Sequence, residues 1–195
     1  MAMIDTSGHH IVYGTLRDFL TGEELPDTDD ERYRQQLARH LVEEKGYDPA
    51  ELEPRLAIET DFNGRRVTSR IDLVVSIEGR RVMIVRYGPG SLVTRERAAV
   101  AASRLLDSEH RIPLAVVTNG REAELLETLT GRVLGTGMPA IPRRSALLDM
   151  ISELVFEPFA DEEKRDREAR ILNVFDEEIC CRGGVCELPP DDAGG

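Results

Sequence analysis

The chain has 195 residues, of which 41% are hydrophobic and 32% charged, and its net charge is −12. This length suits one domain with tails, and the composition is that of a soluble globular protein. No apolar run nears the roughly 20 residues that span a bilayer, and the first residues lack the basic-then-apolar pattern of a secretory signal. Three Cys make no disulfide framework, so the expected setting is cytoplasmic.

The acid excess opposes casual nucleic-acid binding, which depends on contacts to phosphate. It sits at the ends: residues 1–30 hold 7 acids and 1 base, residues 161–195 hold 11 and 5, and the stretch between is balanced. The chain accordingly divides into an acidic N-terminal arm (1–29), a domain (30–157), and a charged helix with a Cys-containing acidic tail (158–195). Arg65-Arg66, Arg80-Arg81 and Arg143-Arg144 read as solvated turn and helix-start residues, with phosphate contact as the alternative.

Within the arm, Leu16, Phe19 and Leu20 form an apolar group able to dock, while His9-His10 read as solvated. A helix is predicted from Asp30 to Lys45. Acids open it in keeping with the helix dipole, Thr28 or Asp29 can cap it, and Tyr33, Leu37 and Leu41 make its apolar stripe. Gly46 ends it. Pro49 and Pro54 bracket a connector, and Leu56 to Asp61 reads as a strand carrying Glu59, followed by an Asn63-Gly64 turn.

Val67–Ile77 and Arg80–Tyr87 are predicted to pair as an antiparallel hairpin across Glu78-Gly79. The first strand carries one carboxylate, Asp72, between Ile71 and Leu73, and a charge in an apolar strand is costly unless something pairs with it. After Gly88-Pro89-Gly90 an Ala-rich helix is predicted over Thr94–Leu106, whose small residues suit close packing on a sheet. A buried strand follows at Leu114-Ala115-Val116-Val117, then short strands at Ala123–Thr128 and Arg132–Leu134. Helices are predicted over Ser145–Phe156 and Asp161–Phe175.

The acid in one strand, the hairpin, and the second strand running into a Pro-Gly break resemble the core of the PD-(D/E)XK nuclease fold. The nearest likeness is to the N-terminal domain of type I restriction enzyme R subunits and its small stand-alone relatives. The stretches 14–28 (GTLRDFLTGEELPDT), 31–47 (ERYRQQLARHLVEEKGY) and Val116-Val117-Thr118-Asn119-Gly120 share in it. The resemblance implies an α/β fold with an α-β-β-β-α-β order, a mixed sheet flanked by helices in a restriction-endonuclease-like three-layer core.

It also implies a site in which carboxylates hold Mg²⁺ and a Lys handles the attacking water. The family's second strand reads hydrophobic-Glu-x-Lys before the Pro-Gly break; here Val85 stands at the Glu position and Tyr87 at the Lys position. Alternation puts these two on one face and Arg86 on the other, so Arg86 is no substitute for the Lys. Asp72 is then the remaining, vestigial acid. Glu31, Glu59 and Glu96 are the candidates to complete a metal set with it, although Glu31 reads first as a first-turn dipole partner.

The resemblance with this departure implies a non-catalytic module binding DNA or a restriction or DNA-processing protein, with no cofactor. The alternative is a Mg²⁺-dependent endonuclease with a rearranged site. In the tail, Cys180, Cys181 and Cys186 flank a Gly-Gly turn; the alternatives are zinc binding or a redox pair, but without a fourth ligand the expectation is a reduced tail without Zn²⁺.

Overall fold

The structure, a computed structural model, describes residues 11–62 and 65–179. His9-His10, the Asn63-Gly64 turn and the tail thiols Cys180, Cys181 and Cys186 lie outside the described residues. The fold is mixed α/β: the described residues form a six-stranded mixed sheet, a two-stranded sheet and four α-helices. Among the described residues no helix is long and apolar enough to cross a membrane.

The arm opens with a two-stranded antiparallel sheet, β1 (Thr15–Arg17) and β2 (Glu24–Pro26). Helix α1 (Asp29–Arg39) follows, with the Thr28 side chain accepting from the Glu31 N–H. The helix predicted to run to Lys45 changes character at His40: residues His40–Glu44 form a π turn, closed by the Lys45 N–H on the His40 carbonyl.

Strand β3 (Leu52–Phe62) begins earlier than expected and takes in Pro54, because it is the sheet edge, where a missing N–H breaks no ladder. Pairing with β4 (Arg65–Ile77) skips Arg55, which sits at φ 56° between the pairs Pro54↔Leu73 and Leu56↔Ile71. Strand β5 (Arg80–Tyr87) pairs antiparallel with β4 from Ile77↔Arg80 to Leu73↔Val85, as the hairpin pattern predicts. Glu78 and Gly79 both have positive φ, the twist-matched turn that joins two strands directly; Gly79 adopts it freely, while Glu78 does so against its preference.

Helix α2 (Val93–Leu105) crosses to β6 (Leu114–Thr118), parallel to β5, and β7 (Ala123–Glu127) and β8 (Val133–Thr136) complete the order β3-β4-β5-β6-β7-β8. The run α1, β3, β4, β5, α2, β6 is the α-β-β-β-α-β order. Helix α3 (Arg144–Met150) is shorter than the predicted Ser145–Phe156. Past a 3₁₀ turn the chain extends, so that Phe156 meets the His110 ring edge-on and lies under Arg80, while the Glu157 carbonyl takes the Arg111 N–H. Helix α4 is Glu162–Ile179.

Two cores form. One face of the sheet packs on α1 and α3 through Leu37, Leu41, Leu73, Val85, Val116 and Leu147. The other packs on α2, where Ala98, Ala99, Ala101 and Ala102 are at most 4% exposed and let the helix lie close to the strands. Helix α4 covers α2 and sends Leu172 into that core.

Two polar groups tie distant segments. The first is a buried ion cluster that fixes the arm. The Asp18 carboxylate, with no exposed side-chain surface, accepts from the Leu20 and Thr21 N–H groups and pairs with both Arg34 and Arg55; Arg55 also reaches Glu23 at 2.5 Å. Burial alone would raise the Asp18 carboxyl, but the Thr21 and Leu20 amides and Arg34 together hold it down at about 2.

The second group joins residues 44–51 to 142–144. The Tyr47 hydroxyl donates to the Pro142 carbonyl at 3.0 Å, Arg143 Nη1 to the Glu44 carbonyl at 2.7 Å, and Arg144 forks onto Glu51 at 2.6 to 2.9 Å.

Candidate functional site

The residues around Asp72 lie where β4 parts from β5. The β4–β5 ladder stops at Leu73↔Val85, which leaves the next inward-facing amide of β5 without a strand partner. The Asp72 side chain supplies one: Oδ2 accepts the Tyr87 N–H at 2.7 Å. The half-buried carboxyl is pushed up to about 6, chiefly by desolvation, with Asp30 adding to the rise and the Tyr87 N–H, Arg86 and Arg34 opposing it. Asp72 thus closes the end of the ladder, at an electrostatic cost.

The two positions beside it are filled. Val85 has no exposed surface and belongs to the core on the α1 face. Tyr87 stacks on Tyr33 of α1, ring centroids 4.6 Å apart and planes within 17°. Burial, then the neighbouring Tyr33 and Asp30, push the Tyr87 phenol up to about 12, so it stays protonated at neutral pH.

Beyond Tyr87 the Gly88-Pro89-Gly90 turn is fastened from two sides. Arg95 Nη2 donates to the Pro89 carbonyl at 2.6 Å, and Asn119 Nδ2 to the Gly90 carbonyl at 3.1 Å. The Arg95 guanidinium occupies the space that a side chain on residue 88 would need, so a larger residue there would push this flexible side chain aside.

The sequence candidates are dispersed. Glu31 is engaged by Arg34 Nε at 3.0 to 3.1 Å and by Gln35 Nε2 at 2.7 Å. Glu59 is exposed, 3.6 Å from Arg66, and stands opposite Thr68, four residues along β4 from Asp72; that is roughly 13 Å at strand rise. Glu96, in the first turn of α2, lies against Glu124 of β7, whose carboxyl is raised by burial and then by Glu96.

The α1 acid whose field reaches Asp72 and Tyr87 is Asp30, one residue before Glu31. Asp30 and Tyr33 are exposed, whereas the buried face of α1 is Arg34, Gln35, Leu37 and Ala38.

These side chains do not fit a divalent ion. Val85 offers no oxygen, the Tyr87 phenol is held protonated, and Asp72 spends one oxygen on an amide. Among the described residues no group of three or more His, Cys, Asp or Glu is placed to hold a metal. Mg²⁺ takes hard oxygen ligands, with one or two carboxylates as a minimum. Positive charge near Asp72 comes instead from Arg34 and Arg86.

A family model described as type I restriction enzyme R protein N terminus matches residues 29–142, from the start of α1 past the end of β8. No curated protein matches the chain, and no solved structure does.

Proposed function

Because the chain belongs to the type I restriction enzyme R protein N-terminus family, we propose that it is a non-catalytic binding module. It keeps a PD-(D/E)XK-type scaffold and has filled in the metal site. The observation that carries this reading is the pair at the β5 end: fully buried Val85 where the resemblance expects a carboxylate, and Tyr87 stacked on Tyr33 where it expects an ammonium. A phenol held near 12 is no general base at neutral pH. Loss of a general base alone costs about 10²–10⁴-fold, and loss of the metal removes direct stabilisation of transition-state charge as well.

The partner is DNA or a protein of restriction or DNA processing. The net charge of −12 favours protein, since non-specific DNA affinity comes from phosphate neutralisation. A cytoplasmic setting accords with either.

One observation stands on the side of a Mg²⁺-dependent endonuclease with a rearranged site. Asp72 and Glu124 are carboxyls with raised pKa values, as working acids often are. The assay is nicking of supercoiled plasmid in Mg²⁺ or Mn²⁺, alongside calorimetric metal titration of the wild type and Asp72→Ala. The expected result is no nicking and no metal heat in either protein. Robust cleavage by the wild type that vanishes in Asp72→Ala would establish the enzyme instead.

A further inference from the structure

On the α1 face, away from Asp72, a cavity of about 520 Å³ opens between the π turn and the segment leading into α3. His40, Lys45, Arg143 and Ser145 contribute its polar lining, while Met138, Pro139, Ile141 and Pro142 make an apolar floor. Glu44 also lines it, 69% exposed and turned to His40 Nδ1 at 3.2 Å.

Lys45 and Arg143 are neighbours of like sign. Both donate to backbone carbonyls: Lys45 Nζ to Met138 at 3.2 Å and Arg143 Nη1 to Glu44 at 2.7 Å. No carboxylate lies within ion-pair distance of either among the described residues. The sequence holds 37 acids against 25 bases, so acids are in surplus. The adjacent Arg144 shows the usual outcome, forked onto Glu51. Burial, then the charge of Arg143, press the Lys45 ammonium below its ordinary value, with Glu44 a smaller opposing influence.

Two further facts point the same way. His40 Nε2 is shielded from solvent and has no hydrogen-bond partner among the described residues. The π turn His40–Glu44, which Lys45 closes, is a rare helix form that is frequent at functional sites.

We propose that this cavity binds a phosphate group, with Lys45 and Arg143 as its cationic donors and the proline-lined floor taking the group attached to it. A phosphate supplies the missing negative charge between two cations that hold spare N–H donors, and the volume suits a ligand of nucleotide size. The phosphate is that of a free nucleotide or of a nucleic-acid backbone. The inference does not rest on the loss of catalysis at β5, and each can fail without the other.

The test is titration of the ¹H–¹⁵N spectrum of the full chain with inorganic phosphate, with adenosine 5′-monophosphate, and with a short DNA duplex. Shifts centred on residues 40–45 and 138–146 are expected. Saturation by the monophosphate identifies a free nucleotide as the source; shifts with duplex alone identify nucleic acid. Lys45→Gln and Arg143→Gln should each weaken binding about tenfold or more, the loss of one charge-assisted hydrogen bond. Each substitution removes a repulsion but also a hydrogen bond to a backbone carbonyl, so the melting temperature without ligand should change little. Arg144→Gln, which breaks an existing ion pair, should lower it and leave binding unchanged. No shift with any of the three probes, shifts elsewhere, or binding indifferent to both substitutions overturns the proposal. If a variant fails to fold, the wild-type shift map decides alone.

Discussion

Replacing Asp72 by asparagine is expected to stabilise the protein at pH 7–8 by about 3 kcal/mol and to do little at pH 4. The carboxyl is raised from 3.8 in the unfolded chain to about 6 in the folded one. The folded state therefore holds the proton more tightly. This contribution to stability is fully present below the unfolded value and is lost as pH rises through about 6. At neutral pH the wild type bears the whole cost of a half-buried charge. Asparagine keeps an oxygen for the Tyr87 N–H and removes that charge. Asp72→Ala removes the acceptor as well, so it should fall short of the asparagine variant by about 1–3 kcal/mol. Urea denaturation of the three proteins from pH 4 to pH 8 measures this. A difference between Asp72→Asn and wild type that does not change with pH would show that Asp72 is not the strained group.

The opposite sign is expected at Asp18. Asp18→Ala should cost about 3–5 kcal/mol, because Arg34 loses a buried partner and Arg55 loses one of the two that hold it. Arg55 also sits at a positive φ that the ion pairs hold in place. In a chain of this size the fall in Tm is on the order of 10 °C. The pH dependence mirrors that of Asp72. With the folded value near 2, the contribution of Asp18 is complete above the ordinary value of 3.8 and is lost as pH falls through 2. A melting curve for Asp18→Ala within two degrees of wild type would make the cluster a surface feature in all but geometry.

The parts that were legible in the sequence are those with a local cause. The β4–β5 hairpin, the extent of α2 and the buried β6 strand follow from β-branched runs, a turn residue free to take positive φ, and a block of alanines. Pro54 misled because proline reads as a break until the strand holding it is known to be an edge. The predicted end of α1 missed the π turn, which no periodicity announces. At the site, the departures Val85 and Tyr87 were plain from the sequence. Their replacement contacts were not, since the Tyr33 stack and the Asp72–Tyr87 amide bond depend on where β4 and α1 come to lie. The influence of Asp30 on Asp72 and Tyr87 could not be read from the helical pattern, because Asp30 lies on the exposed side of α1 and acts through its charge.

The ties between residues 44–51 and 142–144 bear on the order in which the chain is made. They join positions 93 to 99 apart, whereas the three strands β3, β4 and β5 pair with their immediate successors. A ribosome adding about 5–20 residues per second therefore releases a hairpin-rich half several seconds before the segment that locks it. Through that interval Tyr47 and Glu51 wait without their partners, and the apolar face destined for α3 is open to other nascent chains. Slow stretches of translation, or a chaperone, would matter most while residues 100–144 are emerging.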